Sequence, residues 1–134
     1  MRRLIPAALV AALLFSACGG GGEPATFVTI LTGSTSGVYY PLGVGLSQLF
    51  RTALPEANVS VQATAASAEN LRLLEAERGE LAFTLGDVLA DAWEGNADAG
   101  FTAPLGKLRA VAAIYSNYIQ IVASADSGVR TIAD

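Results

Sequence analysis

The chain has no histidine and a single cysteine, and both shortages narrow its chemistry. Without histidine there is no imidazole base for a serine nucleophile and no imidazole ligand for a metal. One cysteine excludes an intrachain disulfide. No acidic cluster has metal-ligand spacing. Asp87 and Asp91 stand four apart, which suits a helix cap and a solvated first-turn acid better than a shared cation. No Gly-x-Gly-x-x-Gly run is present, and no Lys follows the glycines as in a phosphate-binding P-loop, so nucleotide chemistry has no motif to rest on. Basic residues are scarce: eight against twelve acidic ones. Setting aside Arg2 and Arg3 leaves six against twelve, a net of −6. Such a balance argues against nucleic acid as a partner, because neutralising phosphates needs a basic face.

The N-terminus reads as an export signal. Arg2 and Arg3 form a positive n-region, and Leu4 to Phe15 is apolar but too short to span a bilayer comfortably. Phe15-Ser16-Ala17-Cys18 then resembles the lipobox of bacterial lipoproteins, with Phe15 where a Leu is usual. In that reading residues 1–17 are removed and Cys18 becomes a lipidated N-terminus. An ordinary secretory signal with an incidental Cys is the alternative. Residues 18–25, with four glycines after the Cys, make a flexible tether between membrane and domain.

Residues 33–43, Gly-Ser-Thr-Ser-Gly-Val-Tyr-Tyr-Pro-Leu-Gly, are the most informative stretch. They follow an apolar strand-like run, Phe27 to Leu31, and lead into a helical pattern from Val38 to Leu54. Pro41 is tolerated only in the first turn, so the helix starts close to Val38 or Tyr39. The amides of Thr35, Ser36 and Gly37 are then left in the loop, at the positive end of a helix dipole, where a carboxylate or phosphate is favoured. A tight turn serving chain geometry alone is the other reading of this segment. The helix is expected to bury Val38, Leu42, Leu46, Leu49, Phe50 and Ala53.

Strand and helix go on alternating. Asn58–Thr64 has the period of a half-solvated strand. Ser67 is the expected N-cap of a helix that carries Glu69 in its first turn and Arg78 in its last, and that Gly79 ends. Leu81–Leu85 reads as a buried strand, and Asp87 as the N-cap of a helix burying Val88, Leu89, Ala92 and Trp93. Gly95 to Lys107 is a loop long enough to hide a short element. Leu108–Tyr115 and Ile119–Ala123 read as two further strands, and Ser127-Gly128-Val129 as a new helical start. This order implies an α/β domain on a mostly parallel sheet flanked by helices. The corners Gly33–Tyr39, Ala65–Asn70 and Gly86–Asp87 all follow strands and open helices, so they converge at the carboxyl edge of the sheet, where such folds bind ligands. Ser36 lacks the flanks of a nucleophile elbow, and nothing positive supports a Ser–Lys pair through Lys107. The tyrosines, Tyr39, Tyr40, Tyr115 and Tyr118, can serve as pocket walls or as ordinary core and rim.

Several segments together resemble one family. Thr32-Gly33-Ser34-Thr35-Ser36-Gly37-Val38-Tyr39-Tyr40-Pro41-Leu42-Gly43 is similar to the opening motif of the TAXI-type solute receptors of TRAP transporters. Ala66-Ser67-Ala68-Glu69-Asn70-Leu71 resembles their second segment, Leu85-Gly86-Asp87-Val88 their third, and Ser127 to Asp134 a later Ser-Gly-Ile…Asp-Leu stretch. The first loop of that family is often richer in glycine than Ser34 and Ser36 make it here. The resemblance implies one lobe of a type II periplasmic-binding-protein clamshell, with residues 26–134 as its N-terminal part and the chain truncated. It implies a non-enzymatic receptor, without cofactor or metal, in the periplasm or at the cell surface. Such a receptor captures a small carboxylate or amino-acid solute, such as glutamate or a dicarboxylate, and passes it to a TRAP membrane permease. Carried onto this chain, Thr35, Ser36 and Gly37 would donate to a carboxylate, Tyr39 would form a wall, Ser67 and Asn70 would add hydrogen bonds, and Asp87 would accept from an amino or hydroxyl group. A membrane-anchored sensor or interaction lipoprotein on the same fold is the alternative, and an amide or ester hydrolase a more distant one.

Overall fold

A computed structural model describes residues 25–134; the leader, Cys18 and the tether up to Pro24 lie outside the described residues. Six elements follow in order: β1 (Phe27–Leu31), α1 (Tyr39–Ala53), β2 (Asn58–Gln62), α2 (Ser67–Glu75), β3 (Leu81–Ala82) and α3 (Gly86–Glu94). The strands form one parallel sheet in the order β2-β1-β3. Phe27 pairs with Asn58 and Leu31 with Gln62 on one side of β1, and Ile30 with Leu81 on the other. The α/β architecture expected from the alternation is therefore the one observed. Both β-branched and aromatic content suit β1 to the centre of a sheet, and its Ile30 and Leu31 are fully buried. The chain leaves β1 toward β2 and returns on the opposite side for β3, so the connections reverse between β1 and β3. That crevice, outside the carboxyl ends of the strands, is where this class of sheet places ligands.

The sheet face of α1 is made of small residues. Gly43 and Ser47, one turn apart, are buried, whereas Val38, Leu42 and Leu49 are exposed, contrary to the apolar face expected from the sequence. Close approach explains the difference. A Cβ on Gly43 would stand 2.5 Å from Thr32 Cγ2 and 3.3 Å from Val61 Cγ1, so only glycine lets the helix backbone settle on β1 and β2. Ser47 returns its hydroxyl hydrogen to the Val44 carbonyl at 2.8 Å, which satisfies it without a partner from the sheet.

A second layer joins α2 to α3. Leu71, Ala92, Phe101 and Leu108 form a core cluster, with Ala68, Leu74, Val88, Leu89 and Leu105 packed against it. Phe101 and Leu108 anchor the 95–107 loop, which holds turns and no helix or strand. Gly95 caps α3 in the left-handed region at φ 72° and lies too close to Pro104 for any side chain. Trp93 does not join this core. It is exposed, with the Arg109 guanidinium 5.9 Å from its ring centroid.

Several other boundaries differ from expectation. The N-caps are Ala66 and Leu85, one and two residues ahead of Ser67 and Asp87, and neither helix has a side-chain cap. α2 ends at Glu75, leaving Arg78 beyond it, and Glu77 takes the left-handed position at φ 57°. Gly79 serves close approach instead, since a Cβ there would meet Leu31 at 2.8 Å. The β-prone runs 108–115 and 119–123 form no strands, and Val111, Ile119 and Val122 are exposed. A strand needs a neighbour to complete its ladder, and none of the described residues offers one there. Residues 127–129 follow a turn at 125–126 and form no helix.

The close approach at Gly43 yields a test of opposite signs within one helix. Gly43→Ala should destabilise the protein by about 1–3 kcal/mol through overpacking. Gly45→Ala, with nothing within 4 Å of the added carbon, should stabilise it by about 0.5–1 kcal/mol through helix propensity. Urea denaturation midpoints of the two variants would check both.

Candidate functional site

The carboxyl ends of all three strands meet on one side chain. Asn70, on the first turn of α2, is fully buried. Its Nδ2 donates to the Thr32 carbonyl at 2.6 Å and to the Phe83 carbonyl at 2.8 Å, and its Oδ1 faces the Thr64 hydroxyl at 2.6 Å. Thr32 follows β1, Thr64 follows β2, and Phe83 follows β3. By taking the Phe83 carbonyl, Asn70 helps end the ladder of β3 after two residues, where the sequence suggests five. Both amide hydrogens are committed to the protein, so Asn70 builds the floor of the site.

The loop after β1 is folded on itself. The Gly37 amide donates to the Ser34 carbonyl at 2.9 Å and the Ser36 amide to Ser34 Oγ at 3.3 Å. Ser34 Oγ and Ser36 Oγ lie 2.8 Å apart. Of the three amides expected to be free, those of Ser36 and Gly37 hold the turn, and that of Thr35 has no partner among the described residues. The Val38 and Tyr39 amides, where α1 opens, likewise find no acceptor there, as the first turn of a helix requires. The hydroxyls of Ser34, Thr35 and Ser36 are exposed beside them.

Tyr39 forms the wall behind this loop. Its ring stacks on Phe83 at a centroid distance of 5.4 Å, closing the crevice between β1 and β3. Burial holds its phenol above the ordinary tyrosine value; the neighbouring Tyr115 and the Asp87 carboxylate push the same way, and the Ser67 hydroxyl beside it pulls back. Ser67 also accepts the Leu85 amide at 3.1 Å, tying the start of α2 to the strand-to-helix corner before α3. Asp87 is exposed in the first turn of α3 and accepts the Val88 amide at 2.8 Å. Asp91 accepts from Asn96 Nδ2 at 2.7 Å, so the two acids serve separate turns.

Ala66 carries backbone strain at this corner. It sits at φ 76° and ψ −147°, a region almost confined to glycine, at a cost of about 1–3 kcal/mol. The Thr64 hydroxyl receives its amide at 3.0 Å, and its carbonyl accepts the Asn70 amide. Ala66 thus opposes Gly33, whose absent Cβ would stand 3.4 Å from Ala66 Cβ.

A hollow of about 270 Å³ is lined by Gly33, Ser34, Gly37, Val38, Tyr39 and Ala66, and also by Tyr115 and Asn117; of the expected site residues Gly37 and Tyr39 line it, and Thr35, Ser36, Ser67, Asn70 and Asp87 lie outside that lining. Asn117 carries no motif signal in the sequence; it reaches the site because the segment after Leu108 runs back over the sheet edge. A larger hollow of about 410 Å³ lies along α3, lined by Leu89, Trp93, Leu108 and Arg109 among others. It lacks the convergent hydroxyls and amides of the first. No group of three or more metal-ligating side chains occurs among the described residues. Lys107 Nζ pairs with Glu77 at 2.6 Å, and that hydrogen bond raises its pKa, the wrong direction for a general base toward Ser36.

Two measurements follow from this geometry. Asn70→Ala should strip the Phe83 carbonyl of its side-chain donor, leave the Thr32 carbonyl to the Thr64 hydroxyl alone, and cost about 2–5 kcal/mol, read as a lower urea midpoint. A raised Tyr39 value means the folded state holds that proton more tightly. Its contribution to stability is intact below about pH 10 and is lost as pH rises through the raised value. Phenolate absorbance should therefore show a late-titrating tyrosine that disappears in Tyr39→Phe.

Residues 30–134 match the model of the NMT1-like family. This is a periplasmic-binding-protein-like family, whose members bind small-molecule solutes, are typically extracytoplasmic and are typically not enzymes. Among the described residues no helix is long and apolar enough to cross a membrane. With a parallel α/β lobe and a hollow at its carboxyl edge, the chain belongs to the NMT1-like family of solute-binding proteins.

Proposed function

We propose that the protein is the solute receptor of a TRAP-type secondary transporter of the TAXI kind, held at the outer face of a membrane by lipid on Cys18. It captures a small carboxylate-bearing solute and hands it to the membrane permease. The observation that carries this reading is the hollow at the carboxyl ends of β1 and β2, where Gly33 and Ser34 of the first loop, Val38 and Tyr39 at the start of α1, and Ala66 line one space. Thr35 and Val38 supply backbone amides to the carboxylate, Thr35 and Ser36 supply hydroxyls, Gly37 keeps the turn that presents them, and Tyr39 covers it. Ser67 sets the far corner, Asn70 holds the floor rigid, and Asp87 offers an acceptor to an amino or hydroxyl group. With net charge negative, capture relies on local dipoles and hydrogen bonds, which gain strength as water leaves the site. Closure of a second lobe over this edge by hinge motion would complete the water-poor site.

A thermal-shift screen of small acids against the intact gene product, followed by calorimetry, tests this. A Tm rise confined to small carboxylates is expected, growing with concentration as linkage requires. A flat response to every small acid would sink the receptor reading and leave the fold to a sensor or interaction lipoprotein.

A further inference from the structure

The segment after Leu108 contributes two polar side chains to the hollow, although it forms no regular element. Tyr115 lies beside Tyr39, half-exposed, and Asn117 lines the same wall and makes no hydrogen bond to another described residue. A carboxamide offers both a donor and an acceptor, and a phenol does the same. No Lys or Arg lines the space, and the ionised group that acts on its Tyr39 wall is the Asp87 carboxylate. A solute with one carboxylate can leave it at the 34–39 loop. A second carboxylate on the opposite side would meet neutral groups and a negative field, and an ionised group left unpaired on desolvation is strongly disfavoured.

We infer that Tyr115 and Asn117 form the specificity wall of the hollow and select solutes that carry one carboxylate and a neutral amide or hydroxyl end over dicarboxylates of the same shape. The inference rests on the receptor reading and narrows its solute class. Asn117 pairs the distal amide or hydroxyl in both directions, and Tyr115 closes the side next to Tyr39. Selection by an unpaired charge in the wrong solute is as effective as a better contact with the right one.

Calorimetric titration of the intact gene product with two matched pairs, glutamine against glutamate and succinamate against succinate, tests this. The amide member of each pair should bind about tenfold tighter or more. Asn117→Ala should erase most of that preference by weakening the amide members, while Asn117→Lys should turn the preference toward the acids. Tyr115→Phe should weaken both members and bring the late Tyr39 titration closer to the ordinary range. Asn117 is exposed, so its variants should keep the parent Tm. Tighter binding of the acid members, or an unchanged preference in Asn117→Ala, would overturn this inference while leaving the receptor reading intact. Binding of none of the four compounds would count against both.

Discussion

One buried carboxamide organises the carboxyl edge of this lobe. Asn70 joins residues that follow three different strands, and all three are far apart in sequence. A parallel sheet this small has few ladder bonds, and β3 contributes only two residues to them. The ends of the strands are therefore held by side-chain hydrogen bonds in place of more ladder. Inside a protein such bonds are stronger than in water, and each becomes costly if its partner is removed. Thr64 extends the same network, with its hydroxyl also 2.9 Å from the Thr32 carbonyl and the Ala66 amide donating to it. The unusual backbone of Ala66 is thus secured on both sides of the residue, which is how a strained conformation persists.

Small residues do the complementary work. Gly43 brings α1 onto the sheet, and Gly79 lets the chain pass Leu31. Both are places where the backbone approaches something a Cβ would strike, whereas a Cβ on Gly33 would make only ordinary contact with Ala66. The result is a thin lobe in which helices lie close to the strands and the loop at residues 33–38 is pinned from below. Its own serine hydroxyls fold the loop above that floor. A preorganised donor set of this kind binds an anion with less ordering cost than a free loop.

The electrostatic character of the site follows from what surrounds it. The lining residues carry no cation, and Asp87 faces the tyrosine wall from α3. In the proposed receptor, recognition of a negatively charged group would depend on amides and hydroxyls, and discrimination would fall to neutral side chains around the rim. Tyr39 links the two roles, since it stacks on Phe83 at the strand edge and meets Tyr115 from the returning segment.

The alternation of apolar strands and amphipathic helices was legible in the residues, because period and turn chemistry are local properties. So were the positions of β1, α1 and α2, to within a residue or so at their starts, and the grouping of three strand-to-helix corners. The segment 108–123 misled for a reason internal to β-structure: propensity resides in one strand, whereas hydrogen bonding needs two. The buried face of α1 misled because hydrophobicity points to leucines, while contact distance selects Gly43 and Ser47. The role of Asn70 as a tie between strand ends, and the arrival of Tyr115 and Asn117 at the hollow, had no local signal. Sequence by itself determined the α/β class and the motif that faces the crevice. Only tertiary structure decided which polar groups hold the crevice and which remain free in it, because hydrogen-bond partners are allotted by contacts between residues distant in the chain.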